Sequence, residues 1–218
     1  MKRIAICLLI FLCLLLSIFK VNAASSIFPL IGKTIIIDAG HGGKDFGASA
    51  KDVKESEINL EITLRLKNEL EKNGANVILT RADEKDLSNP NALYRKRSDF
   101  DNRIKLINNS HADMYLSIHQ NIYQNTKYHG PQVFYYPKIK DNENIAQVLQ
   151  EELNKYSKNN RKIKIITGTY MYNKLNVKGA LIECGFLSNA NERSNLTTDK
   201  YQEELAKTIT NAIIKYYS

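Results

Sequence analysis

Two histidines stand where strands are expected to end. In Thr34–Gly43, TIIIDAGHGG, a β-branched run closes on Asp38, and His41 follows inside a glycine-rich turn. In Met114–Asn121, MYLSIHQN, a second apolar run presents His119. Open α/β sheets gather ligands at the carboxyl ends of their strands, so both imidazoles are candidates for one site. Either alone reads as an incidental residue of a turn or strand end. Together, with carboxylates nearby, they read as a catalytic metal site. A catalytic zinc usually takes three protein ligands and keeps a fourth position for water, so two histidines need one carboxylate. Glu55 and Glu57 both open the helix expected after the glycine turn, and spacing does not choose between them. Helix N-termini favour acidic residues for electrostatic reasons alone. A hydrolytic site also needs a base. Glu183 follows Ala180-Leu181-Ile182 and precedes Cys184-Gly185-Phe186, at the end of another buried-type run. A carboxylate there is costly unless it is paired or lies beside a metal, which makes Glu183 the candidate base and a buried salt bridge the competing reading.

Other chemistries of the Gly-His-Gly-Gly turn fail on spacing. A phosphate loop needs a hydroxyl after its Gly-Lys, and Gly43-Lys44 is followed by Asp45. A dinucleotide turn lacks its third glycine. An esterase oxyanion loop lacks the Gly-x-Ser-x-Gly elbow that would supply a nucleophile.

Alternating elements must position these residues. Strands are expected at Thr34–Ile37, Asn76–Thr80, Met114–Ile118, Gln132–Tyr136 and Ala180–Ile182, with a weak one within Ile163–Tyr172. Helices are expected at Glu55–Asn73, Asn91–Asn109 (basic), Asn142–Tyr156 and Tyr201–Tyr217. The alternation predicts one α/β domain: a mostly parallel twisted sheet of about six strands with helices on both faces. The catalytic domain is expected to run over 33–218, after a short extension over 24–32.

Lys2 and Arg3 precede an apolar run from Ile4 to Phe19, and Val21-Asn22-Ala23 offers small residues for cleavage. Residues 1–23 therefore read as a secretory signal, with an uncleaved anchor as the alternative. The chain of 218 residues has a formal charge of +8, which loss of Lys2, Arg3 and Lys20 lowers by three. A moderate basic excess on an exported protein would favour an anionic surface such as a cell wall, but its spread along helices argues against nucleic acid and reads best as a solvated basic surface. Of three cysteines only Cys184 lies outside the leader, which excludes an intrachain disulfide; it reads as a core residue.

GHGGKDFGA, the ESEINL helix start, LTR, SIHQN and IECGFLSN, in that order, resemble the zinc-dependent N-acetylmuramoyl-L-alanine amidase family, from about Lys33 to the C-terminus. RKRSDFDNRIKLIN followed by YHGPQVFYY is most similar to its spore-cortex, germination-specific branch. The resemblance implies one zinc per chain held by His41, Glu55 and His119, with Glu183 as catalytic base. It implies that Asn121 and Arg81 orient the site, while His111 and His129 are incidental. It further implies peptidoglycan as substrate, removal of cortex stem peptides (muramic-δ-lactam formation), and action in the cell wall or the forespore–mother cell intermembrane space.

Gly179 stands where the family commonly has Pro, which suggests a looser start to the catalytic strand. Gln120 replaces a smaller or apolar residue and is expected to alter the substrate groove. Only Ile122–His129 separates SIHQN from GPQVFYY, so the inhibitory helix of cell-division relatives is not expected. An accessory protein is expected to regulate activity. A zinc peptidase cutting within the stem, and a non-catalytic wall-binding protein of the same fold, are the alternatives.

Overall fold

The computed structural model describes residues 27–168 and 170–218; the expected leader, residues 1–23, lies outside them. The apolar runs form a six-stranded sheet from β1 (Thr34–Ala39), β4 (Asn76–Leu79), β5 (Met114–Asn121), β6 (Gln132–Tyr135), β7 (Lys164–Ile165) and β8 (Gly179–Phe186), ordered β4-β1-β5-β8-β6-β7. All neighbours are parallel except β6 and β8. A small antiparallel hairpin, β2 (Ser49–Ala50) and β3 (Val53–Lys54), leads the chain into the first helix. The α/β class, the mostly parallel sheet and the six strands agree with the sequence reading.

The side-chain alternation of a strand decides which layer each residue joins. Ile35, Ile37, Leu116, Ile118, Ala180 and Ile182 face a core shared with α1 (Glu55–Lys72), α3 (Asp141–Ser157) and α5 (Asp199–Tyr217). Ile36, Tyr115 and Leu181 face the opposite core, which α2 (Arg95–Asn109) covers. Asp38, Ser117, His119 and Glu183 continue the second set in parity, so all four belong to the α2 side.

Several elements differ from expectation. The strands carrying His119 and Glu183 run past those residues, because β5 and β8 pair with each other as far as Asn121 and Phe186. The helix expected from Asn91 begins at Arg95. A seven-residue helix, α4 (Ala190–Leu196), begins at the end of the GFLSNANE region, capped where the Asn189 side chain accepts from the amides of Asn191 and Glu192. In the expected extension, Leu30 is fully buried in the α1-side core and its amide donates to the Asn73 carbonyl. Among the described residues, no helix is long and apolar enough to cross a membrane.

The start of β8 is tight rather than loose. The Gly179 amide donates to Asn142 Oδ1 at 2.8 Å, and a Cβ there would lie 1.9 Å from the Tyr115 carbonyl oxygen. Proline would lose the bond and clash with β5.

Candidate metal centre

Glu55 is the hub of the site. It is the first residue of α1, 4% exposed, at the helix end where the backbone dipole favours a carboxylate. Its Oε2 accepts from the Ala48 amide at 2.7 Å, and its Oε1 accepts from the Gln120 amide at 3.1 Å. His119 Nδ1 lies 2.9 Å from Oε1, and His41 Nε2 lies 3.3 Å from the same atom. The three groups offer ligand atoms within 4.8 Å of one another. Tetrahedral zinc ligands at about 2.0–2.2 Å from the metal lie roughly 3.3–3.6 Å apart, so the two nitrogens and the carboxylate fit one ion with small adjustments. The sequence left Glu55 and Glu57 open; Glu57 turns outward to Lys54 Nζ at 2.7 Å.

The turn that carries His41 is clamped through its main chain. His41 itself has φ 63°, a left-handed conformation that costs a non-glycine residue roughly 1–2 kcal/mol. Arg103 Nη2 donates to the His41 carbonyl at 2.6 Å. Arg81 donates from Nε to the Ala39 carbonyl at 2.9 Å, and from Nη2 to those of Gly40 at 3.0 Å and Ser56 at 2.8 Å. Arg81 thus ties the His41 turn to the start of α1. Burial and the neighbouring Arg103 charge pull its pKa down to about 10. The close approach also requires Gly40, where a Cβ would stand 2.4 Å from the His119 ring.

Electrostatics holds the triad ready for a cation. Burial alone would raise Glu55, but hydrogen bonds from His119 and His41, with their charges, hold it far below the usual carboxylate range. Burial would lower His41; bonding to Glu55 and to Asp45, whose Oδ2 is 3.1 Å from His41 Nδ1, raises it instead.

Glu183 sits beside His119 in the register of two adjacent parallel strands, so both side chains leave the sheet on the same face. They share a 320 Å³ cavity whose other walls include Phe100, Met171, Tyr172 and Leu181. Burial pushes Glu183 up to about 7, the Glu55 charge adds to the rise, and the histidines oppose it. Its Oε2 is a buried atom without a hydrogen-bond partner, and among the described residues no lysine or arginine pairs with it. The salt-bridge reading of Glu183 therefore fails.

This shift has a measurable sign in the metal-free protein. Folded Glu183 keeps its proton to about pH 7, while an unfolded glutamate loses it near 4.5, so stability falls as pH rises through that window. His41 acts in the same direction: its contribution is present below 6.5 and is lost as pH rises through its higher folded value. Urea midpoints at about pH 5 and about pH 7.5 are expected to differ less in Glu183→Gln than in wild type.

The remaining sequence candidates fall as follows. Asn121 lies just after a register shift between β5 and β8, and its carbonyl accepts from the Leu187 amide at 2.8 Å. Gln120 points away from the groove, to the α1 side, where its Nε2 donates to Asn59 Oδ1 at 3.1 Å behind Glu55. That overturns its expected effect on the substrate groove; strand parity is the reason. His111 and His129 are exposed, outside the triad. Cys184 is a free thiol, fully buried in the α1-side core, and burial pushes its pKa up.

Sequence reasoning missed the buried ion cluster beneath the site. Arg103 pairs with Asp38 at 2.6 Å and with Asp99 at 3.0 Å, all three almost inaccessible. Burial would raise Asp38, but Arg103, His119 and hydroxyl donors Ser117 and Thr80 hold it below its ordinary value. The signal was the pair Asp99–Arg103, four residues apart in the helix and in line with the apolar Ile107.

The family described as N-acetylmuramoyl-L-alanine amidase matches residues 35–215. The germination-specific N-acetylmuramoyl-L-alanine amidase of Bacillus subtilis is 41% identical over 194 residues, covering 87% of this chain and 82% of that protein. The CwlD amidase of Clostridioides difficile, solved in complex with the GerS lipoprotein, is 42% identical with a TM-score of 0.81, covering 85% of this chain and 98% of that one. An N-acetylmuramoyl-L-alanine amidase of Clostridium difficile 630 is 31% identical with a TM-score of 0.75, covering 84% and 96%. With the family matched over most of its length and relatives above 30% identical over most of both chains, the chain belongs to the N-acetylmuramoyl-L-alanine amidase family of hydrolases.

Proposed function

We propose that the protein is a zinc-dependent enzyme that hydrolyses the amide between N-acetylmuramic acid and the first L-alanine of a peptidoglycan stem. The observation that carries this reading is the convergence of His41, Glu55 and His119 on one point, with Glu183 in register beside His119. His41 Nε2, Glu55 Oε1 and His119 Nδ1 would hold the zinc. A zinc ion held there would supply polarisation of the scissile carbonyl and a water acidic enough to attack near neutral pH. Glu183 takes a proton from the attacking water and returns it to the departing alanine nitrogen. A carboxyl near 7 suits both transfers, since it accepts and releases a proton at little cost.

The likeness to a germination-specific amidase supports removal of stem peptides from spore cortex as the biological setting. Residues 1–23 would export the chain to the wall or the forespore intermembrane space. The complex of the C. difficile relative with a lipoprotein supports an accessory protein for this chain as well.

Incubation with peptidoglycan, with and without zinc, followed by mass spectrometry of the products tests the reading. Zinc-dependent release of stems with free L-alanine amino termini is expected; ends created within the stem would make it a peptidase instead. His41→Ala is expected to lose bound zinc as well as activity, and elemental analysis showing full occupancy in that variant would refute the ligand assignment.

A further inference from the structure

A line of hydrogen bonds, part-buried at its first link and buried beyond it, leaves His119 on the side away from Glu55. Tyr172 Oη lies 3.4 Å from His119 Nε2 and 3.1 Å from Ser117 Oγ. The Ser117 hydroxyl in turn donates to Asp38 Oδ2 at 2.8 Å. The far end of this line has a fixed polarity. Asp38 is 1% exposed and ion-paired to Arg103, and its Oδ1 also accepts from the Thr80 hydroxyl at 2.8 Å. It is an ionised carboxylate and can only accept.

The polarity propagates one proton at a time. Ser117 has a single hydroxyl proton, committed to Asp38, so its oxygen accepts from Tyr172. Tyr172 has a single proton, now committed to Ser117, so its oxygen accepts at the histidine. His119 must therefore carry a proton on Nε2. A metal at Nδ1 would take the place of the proton this atom donates to Glu55 Oε1 at 2.9 Å, leaving the proton that Nε2 donates to Tyr172 undisturbed.

We infer that Tyr172 is a positioning residue: it fixes the tautomer and ring angle of His119 so that Nδ1 is the metal-binding nitrogen, under a direction set by the buried Asp38–Arg103 pair. Tyr172 is buried at 7% exposure and enters from the short 3₁₀ turn Tyr172–Lys174, outside every motif of the site. Histidine ligands generally depend on such a partner, and its loss weakens metal binding about 10–100-fold. The inference rests on the triad being a zinc site.

The test measures zinc affinity by chelator competition, and reads the His119 tautomer from long-range proton–nitrogen NMR correlations of the imidazole. In zinc-loaded wild type, His119 is expected to be protonated on Nε2 and metal-bound through Nδ1. Tyr172→Phe keeps the ring and loses the hydroxyl. It is expected to bind zinc about 10–100-fold more weakly, with wild-type circular dichroism. Ser117→Ala leaves Tyr172 in place but frees its proton; a smaller, several-fold loss is expected, and this variant decides the matter if Tyr172→Phe does not fold. Binding through Nε2, or affinity within about twofold of wild type in the folded variants, overturns the inference while the zinc reading stands. Wild type that binds no zinc overturns both.

Discussion

Glu183→Gln is expected to lower kcat/KM on peptidoglycan by about 10²–10⁴-fold while zinc content stays at the wild-type level. That loss corresponds to about 3–5 kcal/mol of transition-state stabilisation. Glutamine keeps the shape of the side chain and resembles the protonated form that burial already favours, so the packing around β8 should survive. What it lacks is an oxygen able to take a proton from water and return it to the alanine nitrogen. The triad is spared because Glu183 neighbours His119 along the sheet without being one of the three convergent groups. A Glu183→Gln enzyme that turned over at the wild-type rate would end the assignment of this residue as base. One that lost zinc would move Glu183 from the proton-transfer machinery into the metal set.

Arg103→Met is expected to be the most damaging change to stability, about 3–5 kcal/mol in urea-unfolding free energy. The methionine fills the aliphatic volume but leaves Asp38 and Asp99 as buried carboxylates stripped of the cation that pairs with both. Arg103 uses every nitrogen of its guanidinium: Nε on Asp99 at 3.0 Å, Nη1 on Asp38 at 2.6 Å and on the Ala39 carbonyl at 2.8 Å, and Nη2 on the His41 carbonyl. Burial would lower its pKa, but the two aspartates hold it well above the ordinary value. Arg103→Lys should recover only part of the loss, since an ammonium cannot span two carboxylates and two carbonyls at once. Zinc occupancy should fall with stability, because the left-handed His41 backbone is held by the same side chain. A loss below about 1 kcal/mol in Arg103→Met would show that the cluster is solvated or dispensable.

The groups that meet at the site were legible because their positions follow from strand ends, and apolar runs mark strand ends well. His41, His119 and Glu183 could be nominated that way. The choice of Glu55 over Glu57 needed the family resemblance, since both carboxylates open one helix and only three-dimensional direction separates them. The direction of β6 was also legible in principle: no helix lies between Ile118 and Gln132, and a parallel return normally requires a crossover. Sequence failed where a polar residue was bound inside the protein. The basic helix was read as a solvated surface, yet its buried stripe is Asp99, Arg103 and Ile107, and the charges are hidden by pairing. Tyr172 carries no local signal at all, because its partners lie 53 and 55 residues away.

Leu30 gives the molecule a boundary of its own. It plugs the core beneath α1 although it lies upstream of the matched stretch 35–215 and of the recognisable motifs. A buried leucine of this kind is worth about 2–5 kcal/mol when removed. The stretch matched by the family is therefore shorter than the stretch whose side chains fill the core. A truncation guided by family likeness alone would cut away part of the foundation on which the His41 turn rests.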